Sequence, residues 1–389
     1  MRPLEGRRLW FVGIGGAGLS SYAFLARAWG AEVGGWDHVE TPYLRGLEGL
    51  EVVLADEPVV PEGWEAVVSS AYPSVAGTTR ADFLAELVSL RRSIVVAGAH
   101  GKTTTTGMIA FVLAELGLDP AWLVGGEIAQ LGGNAGAGEG WLVVEGDESD
   151  RTVEKLRPEI AVVTNVELDH HSTFASAAEV EELFQRWLAD VPQVVRGWEL
   201  EPVAFALALP GEHNRRNAAA ALAALGLAGV GRAEAEPVLA RFHGAGRRFE
   251  TVGEKNGVTV VDDYAHHPSE IVATVTAARE RTDGRVLVLF QPHLFSRTRH
   301  LARELGAALS TADAACVTEI YQAREEPIEG VGGKLVVDAL RPGLRAGWAP
   351  RVEDGARIVA SWARPGDFVL TVGAGDVDRA GPLVLEAIE

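Results

Sequence analysis

The sequence predicts an α/β protein of three domains, each built on a largely parallel sheet, and three observations predict it. Short β-branched runs alternate with alanine- and leucine-rich segments along the whole chain, as strands and crossover helices do. Two glycine-rich stretches, "FVGIGGAGLS" at 11–20 and "VVAGAHGKTTTT" at 95–106, each join an apolar run to a helical pattern. At 389 residues the chain also exceeds what one core usually organises.

Taken in order, the first block holds strands "LWFVGI", "AEVGGWD" and "AVVSSA" with helices between them, a Rossmann-like domain over 1–90. The second block, 91–240, opens with strand "SIVVAG" and continues through "GWLVVEGD" and "IAVVTNVE" to the alanine-rich helix after Asn217. Its first helix places Met108, Ile109, Val112, Leu113 and Leu116 on one buried side, the 3.6-residue period of an amphipathic helix. Only 38 residues separate His171 from Pro210. They predict one helix, "AAEVEELFQRWLADV", and two short strands, "QVV" and "VAFALAL". The third block, 241–389, holds "VTVVDDY", "RVLVLFQ", "AACVTEI" and "DFVLTVGAG", a second Rossmann-like set.

The formal charge of −19 excludes a general affinity for nucleic acid or for anionic membrane, which need a basic surface. Any phosphate must be held locally. The single cysteine, Cys316, cannot form an internal disulfide and stands among apolar neighbours, which fits a buried, inert thiol in a reducing compartment. The N-terminal segment has basic residues before an apolar run, as a signal peptide does, yet its glycine spacing fits a strand, a turn and a helix. No run of 18 apolar residues is present, so a cytoplasmic enzyme is expected.

In "GIGGAG", Gly13, Gly15 and Gly18 fit the Gly-x-Gly-x-x-Gly spacing, and Asp37 follows at the end of the next strand. Helix N-terminal amides would face a pyrophosphate and the carboxylate a ribose. The amides read only phosphate, so NAD and other nucleotide diphosphates fit equally, and a tight turn serving packing alone stays open. The second loop lacks the glycine of the general P-loop pattern, because Val96 stands there. It keeps Gly98, Gly101, Lys102 and Thr103: small residues for close backbone approach, a lysine for β/γ-phosphates and a hydroxyl for Mg2+. Only 4 of the 35 basic residues are lysine, so a lysine at this point is more telling than usual. The strand ends that follow deliver Glu145 and Asp147, then Asn165, Glu167, Asp169 and His170. In a parallel sheet these carboxyl ends share one edge with the loop after Gly98, where they suit a nucleotide-bound Mg2+.

This combination resembles the ATP-dependent Mur ligases of bacterial cell-wall synthesis, in particular their alanine-adding branch. The matching strings are "GIGGAGLS", "AGAHGKTTTT", "GGNAGAGEGWLVVEGDESD", "VVTNVELDHH", "PGEHNRRNAAAAL", "RRFE", "VDDYAHHPSEI", "FQPHLFSRT" and "GAGDV". The resemblance implies that the first loop holds the UDP of UDP-N-acetylmuramate, through Gly13, Gly15, Gly16, Ala17, Gly18, Asp37, Ser69 and Ser70, and that the second holds ATP. It implies an ATP site of Gly98, His100, Gly101, Lys102, Thr103, Thr104, Asn214, Arg248 and Asp263, with Thr103, Glu145 and His170 as Mg2+ ligands. Tyr264, His266, His293 and Arg297 would line the L-alanine and acyl-phosphate site, with Lys102, His170, His266, His293 and Arg297 serving the chemistry. ATP and Mg2+ are the implied cofactors, and the chain is expected as a monomer or weak homodimer.

Three departures qualify this reading. Leu294 stands where the family usually places arginine, which leaves open a sibling ligase adding another amino acid or a recycled peptide. Ala99 replaces a usual threonine. The short segment between His171 and Pro210 implies a trimmed central sheet. An NAD-dependent oxidoreductase, resting on "GIGGAG" alone, would leave Lys102, Glu145 and His170 without work.

Overall fold

The computed structural model describes residues 2–169, 173–323 and 325–388. It holds three sheets. The first is a five-stranded parallel sheet of β1 (Arg8–Val12), β2 (Glu32–Asp37), β3 (Glu51–Leu54), β4 (Glu65–Val68) and β5 (Thr78–Thr79), in the order β3-β2-β1-β4-β5. Helix α1 (Ala17–Ala28) follows β1, and α2 (Arg80–Ser89) follows β5 with Thr79 capping its N-terminus. The reversal of strand order at β1 puts the first glycine loop at a topological switch point, the usual place for a ligand in such sheets.

The second sheet comprises β6 (Ser93–Ala97), β7 (Ala121–Ile128), β8 (Gly133–Gly136), β9 (Leu142–Glu145), β10 (Ile160–Val163) and β11 (Gln193–Arg196), in the order β11-β10-β6-β9-β7-β8. The fully buried run "SIVVA" of β6 fits a central parallel strand covered on both faces. Helix α3 (Lys102–Glu115) is buried all round from Thr103 to Leu113, and its Phe111 meets Phe242 at 5.6 Å between ring centroids. A helix apolar on every side belongs inside a core. Helices α4 (Ala177–Leu188), α5 (Glu212–Leu227) and α6 (Arg232–Leu239) complete this part of the chain.

The third sheet comprises β12 (Glu250–Lys255), β13 (Val258–Asp263), β14 (Val286–Phe290), β15 (Ala314–Thr318), β16 (Arg345–Ala349) and β17 (Phe368–Val372), in the order β12-β13-β17-β14-β15-β16. Helices α7 (Pro268–Arg279) and α8 (Phe295–Leu309) follow β13 and β14. Two pairs, β7 with β8 and β12 with β13, are antiparallel and lie at sheet edges, which the alternation of strands and helices does not predict.

By Cα proximity the chain forms two compact units. One comprises residues 1–167, 177–201 and 217–242 and carries the first two sheets; the other comprises 168–176, 202–216 and 243–389 and carries the third. The expected strand "QVV" is β11, but "VAFALAL" forms none. That stretch belongs to the second unit, and its Val203 amide donates to the Arg215 carbonyl of α5, so no neighbouring strand receives it. Cys316 is buried in β15, where burial pushes its thiol up to about 12. Among the described residues no helix is long and apolar enough to cross a membrane.

Candidate active site

The first loop leaves β1 at Gly13, whose φ of +88° favours glycine, and a Cβ there would stand 2.9 Å from that of Ser69. Ser69 is therefore beside the loop, its amide donating to the Val12 carbonyl. Gly16 and Ala17 are exposed where α1 begins, no side chain caps that helix, and Ser70 is exposed beyond β4. Asp37 is buried at the end of β2, and its carboxylate accepts the amides of Gly15 and His38, each at 2.7 Å. The expected ribose carboxylate thus also braces the loop. Gly18 adjoins the Arg80 side chain, 3.4 Å from where its Cβ would be.

The second loop is shaped by backbone demands. Gly98 has φ +126° and a Cβ on it would meet Thr164 Oγ1 at 2.4 Å; Gly101 has φ +82° and would collide with Asn217. Only glycine meets both conditions at either position. Asn165, just past β10, brackets His100: its Oδ1 accepts the His100 amide at 3.0 Å and its Nδ2 donates to the His100 carbonyl at 2.9 Å. The His100 ring lies 3.4 Å from Glu167.

At the start of α3, Lys102 Nζ donates to the Gly98 carbonyl at 2.7 Å and to both oxygens of Glu148, at 2.9 and 3.1 Å. Burial by itself would lower the ammonium pKa, but Glu148, Asp147 and Glu145 outweigh it and hold it at about 12. Lys102 therefore stays charged. Thr103 donates to Glu145 Oε1 at 3.1 Å, and the other oxygen of Glu145 accepts the Gly125 amide at 2.8 Å. A hydroxyl and a carboxylate meeting beside a lysine give the hard oxygen donors that Mg2+ prefers, so these residues fit that ion. Thr104 is buried in the same turn. His170, the third expected metal ligand, lies outside the described residues.

In the second unit, Arg297 on α8 is buried and forked onto Asp169, with Nε and Nη2 donating to Oδ1 at 3.2 and 3.0 Å. Its Nη1 lies 3.1 Å from His293 Nδ1. Asp169 belongs to the same compact unit as Arg297, whose buried charge requires a carboxylate. His266 adjoins His293, ring centroids 5.9 Å apart, and its Nδ1 lies 3.0 Å from the Tyr264 carbonyl. Burial lowers its pKa to about 4, which keeps the imidazole neutral. His293 stacks on Tyr321.

The guanidinium groups of Arg247 and Arg248 both lie over the Tyr264 ring, at 5.2 and 4.9 Å from its centroid. Asp263, expected at a nucleotide ribose, is buried and accepts the amides of Phe249 and Ala265, both at 2.8 Å. Burial raises its pKa to about 6. In this geometry it holds the chain turn after β13. Asn214 is buried in the first turn of α5 and donates to the Pro210 carbonyl at 2.6 Å.

Sequence reasoning passed over Glu148, Arg247 and Asn217. Glu148 was legible as the third acid of "EGDESD", three residues beyond the strand end. Arg247 is the member of the arginine pair that binds the "GAG" turn, donating to the carbonyls of Gly373 and Gly375 at 2.7 and 2.9 Å. Nothing local marks Asn217, whose part is played by contact with Gly101.

Residues 96–195 match the family described as the Mur ligase middle domain, and residues 247–375 match the Mur ligase, glutamate ligase domain. The UDP-N-acetylmuramate–L-alanine ligase of Streptomyces coelicolor is 41% identical over 451 aligned positions, covering 97% of either chain. That of Rubrobacter xylanophilus is 39% identical, covering 96% of this chain and 98% of its own. The crystal structure of the UDP-N-acetylmuramate-alanine ligase from Thermotoga maritima matches with a TM-score of 0.79 at 26% identity, covering 97% of this chain and 98% of that one. The first alignment is longer than the 389 residues present here, so it contains gaps in this chain. Likeness at this level over nearly the full length of both partners settles the kinship, and the chain belongs to the Mur ligase family.

Proposed function

We propose that the protein is a cytoplasmic, ATP-dependent ligase that joins L-alanine to the lactyl carboxylate of UDP-N-acetylmuramate, a step in making peptidoglycan precursors. The observation that carries this reading is the cluster at the start of α3: a charged, buried Lys102 with Thr103 and Glu145 meeting beside it. Residues 1–90 would take the UDP-sugar, 91–240 the ATP, and 241–389 the amino acid.

The γ-phosphoryl group moves from ATP to a carboxylate oxygen, the amine of alanine attacks the resulting acyl phosphate, and inorganic phosphate leaves. Lys102 places its charge on the transferring oxygens, exchanging Glu148 for phosphate. Thr103 and Glu145 would hold Mg2+, which offsets charge on the phosphates when bound. Arg297, fixed by Asp169, stabilises the anionic oxygens that develop as the amine adds. With Nδ1 turned to the Tyr264 carbonyl, His266 offers Nε2 as an acceptor for the amine. Its lowered pKa keeps that lone pair available at neutral pH.

Phosphate release from ATP with Mg2+ and UDP-N-acetylmuramate tests the proposal, run with L-alanine, glycine, L-serine, a muropeptide tripeptide and no amino acid. Release should require both the UDP-sugar and L-alanine. Release with the tripeptide instead would favour a sibling ligase, the reading that Leu294 in place of arginine supports, and silence with every acceptor would refute ligation.

A further inference from the structure

Arg80 opens α2, and its side chain runs close to Gly18 in the first turn of α1. Its Nη1 lies 3.4 Å, and its Cδ 3.8 Å, from the point that a Cβ on Gly18 would occupy. Its Nη2 donates to Asp150 Oδ2 at 2.6 Å. Asp150 stands two residues after Glu148, whose carboxylate grips Lys102, and five after Glu145, which accepts from Thr103. Between β9 and the single turn Thr152–Lys155, residues 146–151 form neither strand nor helix. One guanidinium therefore lies beside Gly18, in the helix of the first glycine loop, on one side. On the other it touches the acidic segment that occupies the lysine of the second loop.

The electrostatics agree with the geometry. Burial disfavours the charge of Arg80, and the carboxylates of Asp150 and Asp147 favour it. An anion at the start of α1, where Gly16 and Ala17 are exposed, would compete with Asp150 for that guanidinium.

We propose that Arg80 and Asp150 are positioning residues that couple the two nucleotide loops. An acceptor diphosphate at the start of α1 draws Arg80 from Asp150, the 146–151 segment relaxes, and Glu148 releases Lys102 for the phosphates of ATP. The inference rests on the first loop being the UDP-sugar site. By reciprocity ATP strengthens acceptor binding to the same degree.

The test is titration calorimetry on the full chain with UDP, then with AMP-PNP and Mg2+, with and without saturating UDP. In the wild type UDP should tighten AMP-PNP about fivefold or more, the lower end of typical couplings. Asp150→Asn should bind AMP-PNP without UDP as tightly as the wild type does with it, and UDP should add nothing. Arg80→Gln should weaken UDP and also lose the coupling, an independent arm if one variant folds poorly. Asp82→Asn removes the neighbouring Asp82–Lys155 ion pair, 2.6 Å long, between α2 and the turn Thr152–Lys155, and should leave the coupling intact. This separates coupling from loss of stiffness. UDP binding without any effect on AMP-PNP, or coupling that survives Asp150→Asn, overturns the proposal alone. If UDP does not bind the wild type, the reading of the first loop falls and takes the proposal with it.

Discussion

Lys102 is charged in the fold, and the proposed chemistry needs that same charged form. Its side chain is 15% exposed and that of Glu148 only 4%, so either charge left alone would be costly. Lys102→Met should lower phosphate release by roughly 10²–10³-fold and destabilise the protein by about 3–5 kcal/mol. Adding Glu148→Gln should restore most of the stability and none of the activity; urea unfolding beside the phosphate assay would show whether the two losses separate. Titration of three buried groups gives a second expectation. His266 and His213 are both held at about 4 by burial, against 6.5 unperturbed. Their contribution to stability is full above pH 6.5 and is lost as pH falls toward 4, because the unfolded chain takes up protons that the folded rings refuse. Asp263, raised to about 6 from 3.8, contributes fully below pH 3.8 and loses that contribution as pH rises through 6. Between these limits the three groups leave a net uptake of one proton on unfolding, so stability should fall by about 1.4 kcal/mol per pH unit on acidification. Unfolding midpoints from pH 6 to 4.5 would measure the slope, and replacing both histidines with glutamine should reverse it.

At the scale of elements, β6, the loop after it and α3 were legible in the sequence because each is governed by neighbours in the chain. A buried apolar run, two glycines at positive φ and a lysine-threonine start need no distant partner to be recognised. The loop between β10 and α4 was less legible. Asn165 clamps the loop after β6, while Asp169, four residues on, holds Arg297 of α8, and spacing alone treats the two as equivalent strand-end groups. Asp169→Asn keeps an acceptor but removes the charge that Arg297 needs. It should cost about 3 kcal/mol of stability and lower kcat by roughly tenfold or more, leaving AMP-PNP affinity within about twofold. A variant that weakens AMP-PNP as much as it lowers kcat would instead assign Asp169 to the ATP site.

For the whole molecule, the interleaving of the chain has consequences for how it can be divided. The unit that carries the third sheet takes residues 168–176 and 202–216 from earlier in the chain. A fragment starting at His243 therefore lacks Asp169 and leaves the guanidinium of Arg297 buried without its carboxylate. Such a fragment should unfold without a sharp transition and bind a hydrophobic dye, whereas the full chain should not; cooperative unfolding of the fragment would show that the third sheet suffices. The formal charge of −19 also stays compatible with the proposed nucleotide binding, because the cation proposed to meet the phosphates is placed locally by α3 and not by the surface at large.

By itself the sequence determined the α/β class, both glycine loops, the order of the motifs and thereby the family, since each depends on short-range backbone requirements or on the spacing of a few residues. Tertiary structure alone decided how the acids are shared out. Glu145 goes to Thr103, Glu148 to Lys102, Asp150 to Arg80 and Asp169 to Arg297, while Asp263 turns inward to hold its own backbone. The physical reason is that a buried charge must be paired, and which carboxylate reaches which cation depends on elements far apart in the chain being brought to the same place.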